Sequence, residues 1–255
     1  MKNQLSILFV GESCIVHTIE FKGYDNFTAT RYNEPAAIMK KVFEDEDHKF
    51  THVPCHRVHL DFPTSLQQLN AFDVVILSDV GSNTMLLHPD TSRFSKRTVN
   101  LLKLIKEYVE NGGGFGMIGG YMTFQGMEAK GKYKDSHIED ILPVNLLPYD
   151  DRVEIPEGVD LTIDPSFHEV LNNLPGTWPY ILGYNRLIAK EDAKVLVKNG
   201  KDPIITIGQY GKGRTLAYAT DCAPHWASPE LCQWEYYGKL WSNLVTWLAN
   251  KEQKD

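Results

Sequence analysis

The sequence has no hydrophobic run long enough to cross a membrane. The apolar run nearest the N-terminus, Leu5–Val10, has six residues, whereas a membrane-spanning helix needs about 20. No small-residue cleavage site follows this run, as one would after a secretory signal. We therefore expect a protein that is not secreted and has no membrane partner.

Cysteine is scarce and scattered. The four cysteines are Cys14, Cys55, Cys222 and Cys232, and they show neither the paired spacing of a zinc site nor that of a disulfide framework. We therefore predict a cytoplasmic protein with reduced thiols, no bound metal and no cofactor.

Positive charge is also in short supply. Lys and Arg number 26 against 33 Asp and Glu, which gives a formal net charge of -7, and the basic residues do not cluster. Nucleic-acid binding depends on basic side chains that neutralise phosphates. The composition argues against a nucleic-acid partner, whereas a small anionic ligand held by one or two residues is compatible with it.

What the sequence does contain is an ordinary globular composition, with 42% hydrophobic and 11% aromatic residues. In the first half, apolar runs typical of buried parallel strands alternate with segments of helical spacing. The predicted strands are Leu5–Val10, Phe50–Val53, Phe72–Leu77 and Phe115–Ile118. The alternation predicts an α/β fold of the flavodoxin-like, doubly wound kind, with a mostly parallel sheet.

Helix signals separate these strands. Pro35 is expected to open the first helix, and Ser95 is expected to cap a later one that contains Leu101 and Tyr108. Gly112 stops that later helix. The chain closes with a predicted helix whose apolar stripe runs from Tyr237 to Leu248.

The second half has a different pattern. Short strand candidates are separated by turn residues rather than by long helices, so we expect additional, partly antiparallel strands. They are Asp151–Ile155, Tyr184–Ile188, Ala193–Val197, Pro203–Ile207 and Arg214–Ala219, the last preceded by a hairpin turn at Gly211–Gly213. Without a repeat or an evident linker, residues 1–255 are interpreted as one domain.

Unusual residues follow several of the predicted strands. Ligands bind at the carboxyl ends of the strands in open parallel sheets. The segments at these ends are Gly11–Cys14 with His17 beyond, Asp79, Gly119–Gly126, and Thr220–Trp226. We therefore expect Glu12, Tyr121 and His225 to face one cleft.

The segment Gly119–Gly126 has the form of a nucleophile elbow, in which a buried strand, small residues and a tight turn lead into a helix. The N-terminus of that helix would supply backbone N–H groups suited to an oxyanion. Its central residue is Tyr121.

A family resemblance rests on these segments. The element order, Gly112–Gly114 before the strand, and the elbow resemble the class I glutamine amidotransferase-like fold. More narrowly, Gly11–Ser13, Gly119–Gly126 and Asp221–Trp226 resemble an uncharacterised bacterial family labelled "putative glutamine amidotransferase", akin to trehalose-utilisation-type proteins. The resemblance covers essentially the whole chain.

The chain departs from the superfamily at the residues that carry its chemistry. The superfamily has a cysteine at the elbow and a His-x-Glu pair near the end of the domain, whereas this chain has Tyr121 at the elbow and His225 followed by Trp226 and Ala227. A phenol with a pKa near 10 is a poor substitute for a thiolate. We therefore do not expect glutaminase activity.

The candidate residues allow several interpretations. Tyr121 could be an acid–base group or a pocket wall, and Cys14 or Cys222 could form a relocated pair with His225 or could be core residues. The strand-end carboxylates and histidines could form an acid–base pair or a metal site, or could serve turns. The catalytic candidates are His225, Glu12, Tyr121 and Asp221; the ligand-binding candidates are Ser13, Cys14, His17, Asp79, Gly119, Gly120, Met122, Gln125, Cys222 and Trp226.

Two classes of function follow from this pattern. One is an enzyme of altered chemistry that acts on a small polar metabolite, with His225 and either Glu12 or Asp221 as acid and base. The other is a non-catalytic ligand-binding or regulatory domain that has lost amidotransferase chemistry. Homo-oligomers are compatible with either class.

Overall fold

The computed structural model describes residues 4–164, 166 and 168–250. The strands are β1 (Ser6–Gly11), β2 (Cys14–Lys22), β3 (Asp25–Asn33), β4 (Lys49–Val53), β5 (Val74–Ser78), β6 (Gly114–Ile118), β7 (Val144–Asn145), β8 (Arg152–Val159), β9 (Thr162–Ile163), β10 (Ile181–Asn185), β11 (Ile188–Ala189), β12 (Lys194–Asn199), β13 (Asp202–Tyr210) and β14 (Gly213–Tyr218). The helices are α1 (Ala36–Asp45), α2 (Val58–Asp61), α3 (Leu66–Leu69), α4 (Ser82–Leu86), α5 (Pro89–Phe94), α6 (Leu101–Glu110), α7 (His137–Ile141), α8 (Pro229–Cys232) and α9 (Tyr237–Ala249).

An eight-stranded sheet forms the centre of the fold, in the order β4-β1-β5-β6-β14-β13-β12-β9. The first five strands in this order pair in parallel, and their arrangement is the flavodoxin-like 2-1-3-4-5 order. The remaining strands pair antiparallel. The predicted α/β fold, with a parallel core and antiparallel strands in the second half, is confirmed.

The parallel strands form because their residues are apolar on both faces. Every residue of β5 and β6 is buried, as expected of strands covered by helices on both sides. Helix α6 begins at Leu101, but its cap is Asn100, whose side chain accepts the Lys103 N–H. The prediction that Ser95 caps this helix is wrong, because Ser95 ends α5 in the left-handed conformation, with φ of +53°.

The antiparallel strands of the second half form largely where they were predicted. The turn between β13 and β14 contains Gly211, with φ of +57°, and Tyr210 pairs with Gly213 across it. The single strand predicted over 184–188 is instead divided into β10 and β11. Between them, the Arg186 N–H bonds the Asp151 carbonyl oxygen.

A projecting hairpin follows the first strand and was not predicted. Strands β2 and β3 pair antiparallel from Cys14 with Asn33 to Lys22 with Asp25. The two-residue turn between them begins at Gly23, whose φ of +66° suits a tight hairpin turn. We call residues 14–33 the arm. All strand residues of the arm except Val16 and Asn33 are exposed.

The segment after β6 differs from the predicted elbow. No helix follows the strand; the chain runs through turns to a short 3-10 helix at Met127–Ala129. The positive φ of +152° belongs to Gly120 and not to Tyr121. The predicted helix N-terminus at this point, with its oxyanion-binding N–H groups, is therefore wrong. Among the described helices, none combines the length and the hydropathy that a membrane crossing requires.

The backbone at Gly120 generates a testable prediction. A Cβ atom added there would lie 2.8 Å from the Asp79 Oδ1 atom, and the positive φ disfavours any L side chain. We expect Gly120→Val to lower the free energy of unfolding by on the order of 1–3 kcal/mol, whereas Tyr121→Phe, which removes only a hydroxyl, should have a smaller effect.

Urea unfolding of both variants beside the wild type measures this difference. An unchanged midpoint for Gly120→Val would contradict the conformation described for this turn.

Candidate functional site

The carboxyl ends of the parallel strands bring several polar residues to one edge of the sheet. Glu12 follows β1, and Asp79 follows β5. Tyr121 is the third residue after β6, and Asp221 is the third residue after β14. Glu12 interacts electrostatically with Asp79 and Asp221, Asp221 pairs with His225, and the Tyr121 ring contacts the His225 ring. We call this group of five residues the strand-end cleft.

Glu12 is a buried member of this group, with 5% of its surface exposed. Its backbone is left-handed, with φ of +46°, and its N–H bonds the Ser78 carbonyl oxygen at 2.8 Å. The Ser78 hydroxyl donates to Glu12 Oε2 at 2.6 Å. Burial, reinforced by the charges of Asp221 and Asp79, raises the pKa of Glu12 well above its ordinary value. The environment therefore favours the protonated carboxyl.

Asp79 is the second carboxyl with left-handed backbone, with φ of +42°. Its Oδ1 atom accepts the Met122 N–H at 2.7 Å, which ties the end of β5 to the loop after β6. Burial, opposed by this hydrogen bond, raises the pKa of Asp79 to about 6. Non-glycine residues in this conformation are uncommon and concentrate at functional sites.

Asp221 and His225 form a pair after the last parallel strand. The Asp221 Oδ1 atom accepts the N–H groups of Cys222 and Ala223, while Oδ2 lies 3.3 Å from His225 Nδ1. Asp221 is 5% exposed, whereas the His225 side chain is 36% exposed. Burial lowers the pKa of His225, but the hydrogen bond and charge of Asp221 outweigh burial, so that the pKa is raised overall.

Aromatic rings form one wall of the cleft. The Tyr121 ring meets the His225 ring edge-on, with 4.4 Å between centroids, and His225 stacks on Trp226 at 5.0 Å. Trp226 is buried, and its indole N–H donates to Glu154 at 2.9 Å. The Arg152 guanidinium lies 5.1 Å from the centre of the Tyr121 ring. The imidazole therefore contacts two aromatic rings, and these also contact each other, with 5.8 Å between their centroids.

Two buried side chains from the second half hold the loop that carries Tyr121. Asn185 Oδ1 accepts the Gly120 N–H at 3.0 Å, and Asn185 Nδ2 donates to the Gly120 carbonyl oxygen at 3.2 Å. Asp151 accepts the N–H groups of Gln125 and Gly126, and Asn185 Nδ2 also donates to Asp151 at 2.7 Å. Sequence reasoning placed both residues on strands but missed this role, because nothing local marks a contact 25 to 65 residues away.

The family of the chain is established by comparison with known proteins. Residues 6–250 match the family described as "Putative glutamine amidotransferase". The chain belongs to this family. Among solved structures, it is similar to a cytoplasmic protein from Salmonella typhimurium, at 41% identity and a TM-score of 0.92, over 96% of this chain and 99% of that one.

Two further solved structures are similar. A cytoplasmic protein from Salmonella typhimurium LT2 is 40% identical, with a TM-score of 0.91 over 95% of this chain and 98% of that one. The names of these two relatives agree with the predicted cytoplasmic location. A ThuA-like protein from Parabacteroides merdae shares the fold, at 12% identity and a TM-score of 0.60 over 97% of this chain and 91% of that one. None of the curated proteins compared with the sequence matches it.

In this amidotransferase-like chain, Cys55 borders the cleft and was not singled out from the sequence. The Cys55 N–H donates to the Ser13 hydroxyl at 2.9 Å, and its thiol approaches the Asp79 carbonyl oxygen at 3.7 Å. Burial raises the pKa of the Cys55 thiol. Its position after β4, a strand neighbouring β1 in the sheet, was the signal that could have identified it.

Several ligand-binding candidates have other surroundings. Cys14 and His17 lie on the exposed arm, where His17 Nδ1 bonds the Thr30 hydroxyl at 2.8 Å; the hairpin carries them away from the strand end on which the prediction placed them. Gln125 is buried, and its Oε1 accepts the Lys134 N–H. Met122 contributes its backbone N–H to Asp79. The Gly119 N–H donates to the carbonyl oxygens of Tyr218 and Thr220 and so fixes the start of the loop after β6.

One described group of side chains could hold a metal ion. Glu12, Asp221 and Cys222 are all buried and present ligand atoms within 4.8 Å of one another. Without a metal ion, burial raises the pKa of Cys222 well above its ordinary value, whereas the charge of a bound ion would itself favour the thiolate. The thiol also donates weakly to Glu12 at 3.8 Å. Without a metal ion, Cys222 is therefore a neutral, buried thiol.

The raised pKa of Asp79 leads to a prediction about stability. Asp79 has a pKa of about 6 in the folded chain against 3.8 as its ordinary value. The protonated Asp79 carboxyl therefore stabilises the folded chain fully below the ordinary pKa of 3.8, and this contribution is lost as pH rises through the folded value of about 6. As pH rises through this interval, the free energy of unfolding should therefore fall by about 2–3 kcal/mol less in Asp79→Asn than in the wild type. The asparagine keeps an acceptor for the Met122 N–H.

Urea unfolding at a pH below 4 and again near pH 8 measures the difference. The exposed Asp192→Asn variant is the matched control and should follow the wild type. Identical pH dependence in the wild type and Asp79→Asn would contradict the described environment of Asp79.

Proposed function

We propose that the strand-end cleft binds a small polar metabolite and carries out acid–base chemistry on it, without the Cys-His-Glu triad of amidotransferases. The observation that carries this proposal is the Asp221–His225 pair, which lies beside Tyr121 and above the buried Glu12. Pairs of titratable groups with different environments are typical of acid–base sites.

His225 is proposed as the general base. Asp221 lies against Nδ1, so proton transfer would use Nε2, and the carboxylate would orient the ring and stabilise its charged form. The hydrogen bond and charge of Asp221 outweigh burial and raise the pKa of His225 above its ordinary value, which makes the imidazole a stronger base.

Glu12 is proposed as the group that donates a proton. Loss of hydration on burial, reinforced by the charges of Asp221 and Asp79, raises the pKa of Glu12 and favours its protonated form. The Ser78 hydroxyl, which donates to Oε2, leaves Oε1 as the proton-bearing oxygen. A neutral acid at Glu12 beside a base at His225 suits a reaction that moves a proton onto one ligand atom and removes one from another.

Loss of amidotransferase chemistry follows from the lack of a suitable nucleophile. Tyr121 stands at the sequence position where the superfamily resemblance implies a cysteine, and burial raises the pKa of its phenol. Cys222 is fully buried, and burial raises the pKa of Cys55 as well as that of Cys222. Neither thiol is poised as the thiolate that attack on an amide requires.

A second candidate is a non-catalytic binding domain. Two hydrogen bonds favour it, because Asp79 accepts the Met122 N–H and Glu12 accepts the Ser78 hydroxyl, so both carboxyls already have a partner in the protein. In this case the same residues would orient a ligand without transforming it. The two candidates differ in turnover and share the binding site.

The purified protein is expected not to release ammonia from glutamine above background, because it has no activated thiol at the cleft. A coupled ammonia assay measures this directly, with Cys55→Ser and Cys222→Ser measured in parallel. Glutaminase activity that disappears in either variant would reveal a working nucleophile and contradict the proposed loss of the triad.

His225→Gln is expected to abolish turnover of any metabolite that stabilises the wild type in a thermal-shift screen. Glutamine retains polar atoms but cannot act as a base, so ligand binding should weaken less than turnover, which should fall at least 100-fold. The His137→Gln variant, on α7 and with a half-exposed imidazole, is the matched control.

Mass spectrometry of each stabilising compound after incubation separates the outcomes. Turnover that requires His225 supports the enzyme, and stabilisation without turnover supports the binding domain. Stabilisation unaffected by substitution of His225, Glu12 or Tyr121 would contradict both, because the ligand would then bind elsewhere.

A further inference from the structure

A second cavity lies among the short helices of the first half of the chain. It measures about 280 Å³ and is bounded by residues of α2, α4 and α6 and by the segments that flank α5. None of the five residues of the strand-end cleft, all of which the structure describes, lines it. We call it the side cavity. Its apolar walls are formed by Val58, Met85, Leu86, Val99 and Leu101.

The size of the side cavity suits a small molecule. An apolar cavity of roughly 150 Å³ in a protein interior is large enough to bind benzene. The side cavity, at about 280 Å³, therefore has room for a molecule of about ten non-hydrogen atoms. Apolar walls with a small number of polar groups are typical of sites for such molecules.

Two histidine rings line the side cavity beside its apolar walls. His59 and His88 meet edge-on, with 6.0 Å between their ring centroids. His88 Nδ1 accepts the Asp90 N–H at 3.1 Å. Because the Nδ1 lone pair is used in this way, the proton of the neutral ring lies on Nε2, which is therefore a donor. Among the residues that the structure describes, neither this Nε2 atom nor the His59 ring has a hydrogen-bonded partner.

The other polar side chains of the side cavity are already engaged. The Thr98 hydroxyl shares a hydrogen bond of 2.7 Å with the Thr91 hydroxyl, and the Thr64 hydroxyl donates to Gln68 Oε1 at 3.4 Å. The two imidazoles are therefore the groups left to bind a ligand, and the Nε2–H of His88 requires an acceptor on that ligand.

The chain around α5 is positively charged, in contrast to the protein as a whole. Residues 88–99 contain one acidic residue, Asp90, against three cations and so have a net charge of +2, whereas the whole chain carries -7. The cations are Arg93, Lys96 and Arg97, and none of them forms an ion pair with another described residue. Asp61, at the end of α2, is neutralised by a bidentate arginine. The local charge therefore favours an anionic ligand over a cationic one.

We propose that the side cavity is a second binding site, which takes a small carboxylic acid with an apolar body. The carboxylate accepts hydrogen bonds from His59 and His88, and the body packs against the apolar walls. Hydrogen bonds to a charged acceptor are stronger than those to a neutral one, and burial of the methylene groups supplies the remaining affinity.

Octanoate, which has ten non-hydrogen atoms, is the probe for this site, and octanol and octylamine are its neutral and cationic counterparts. Isothermal titration calorimetry at neutral pH should give a Kd of about 0.1–1 mM for octanoate. Octanol and octylamine should bind at least about fivefold more weakly. Lack of octanoate binding at concentrations up to about 10 mM would overturn the proposal, and so would equal or tighter binding of either counterpart.

Two substitutions test the location of the bound octanoate. His88→Asn removes the imidazole but keeps a residue that caps helices well, so α5 should persist. Val99→Trp, at an exposed position in the loop before α6, fills the side cavity. Both should unfold thermally near the wild type and bind octanoate at least about tenfold more weakly. The matched changes His137→Asn and Val16→Trp, on α7 and on the arm, should leave the Kd unchanged.

The strand-end cleft is the competing location, and His225→Gln distinguishes it. Octanoate in the side cavity should bind this variant with the wild-type Kd. Weaker binding to His225→Gln, together with unchanged binding to His88→Asn and Val99→Trp, would place octanoate in the strand-end cleft and refute the second site.

The histidine NMR signals of the wild type give a readout that does not depend on the folding of a variant. Proton–carbon spectra resolve the imidazole Cε1–H groups, and His59→Gln and His88→Asn assign the two signals of interest. Octanoate should shift both of these signals as it saturates the site. Shifts confined to other histidines would contradict binding in the side cavity.

Discussion

The hydrogen bonds of Asn185 and Asp151 hold the loop after β6 in place, and the arrangement of the strand-end cleft depends on them. Asn185 bonds both backbone groups of Gly120, and the Asp151 carboxylate receives the N–H groups of Gln125 and Gly126. Hydrogen bonds to a charged group contribute about 1.5–3 kcal/mol each. The antiparallel half of the chain thus positions residues of the parallel half, and neither half alone makes the cleft.

The acidic groups of the cleft are maintained at a cost to stability. Glu12 and Asp79 combine burial with left-handed backbone, both of which are unfavourable for an acidic L-residue. The rest of the sheet offsets this cost, since β5 and β6 are buried along their whole length. Such local strain, supported by a well-packed core, is expected where side chains are positioned for binding or chemistry.

The fold could be predicted from the sequence because its strands are continuous apolar runs and its helices have regular spacing. The strand ends also identified Glu12, Asp79 and His225, because the position of a residue after a strand determines the edge of the sheet on which it lies. The segment after β6 was misjudged because Asp151, 25 residues away, takes the N–H groups that a helix would otherwise use. No local pattern contains that information.

The arm was missed for a different reason. Nearly every residue of its two strands is exposed, so neither strand is one of the buried apolar runs from which the sheet was predicted. Cys14 and His17 were assigned to the cleft because the prediction assumed that the chain continued from β1 into a loop. Hydrophobic patterns predict strands that are buried in the core of a chain. They do not predict a strand pair that projects from that core.

The stack of His225 on Trp226 gives the cleft an optical signal of its own. The two rings are 24° from parallel with centroids 5.0 Å apart, and a protonated imidazole at such a distance quenches indole fluorescence. Trp226 emission therefore reports the charge of His225, and it changes when a ligand separates the rings or alters that charge. Because the indole is buried and fixed by its bond to Glu154, bulk solvent contributes little to this change. The protein thus contains an intrinsic fluorescent reporter at the cleft.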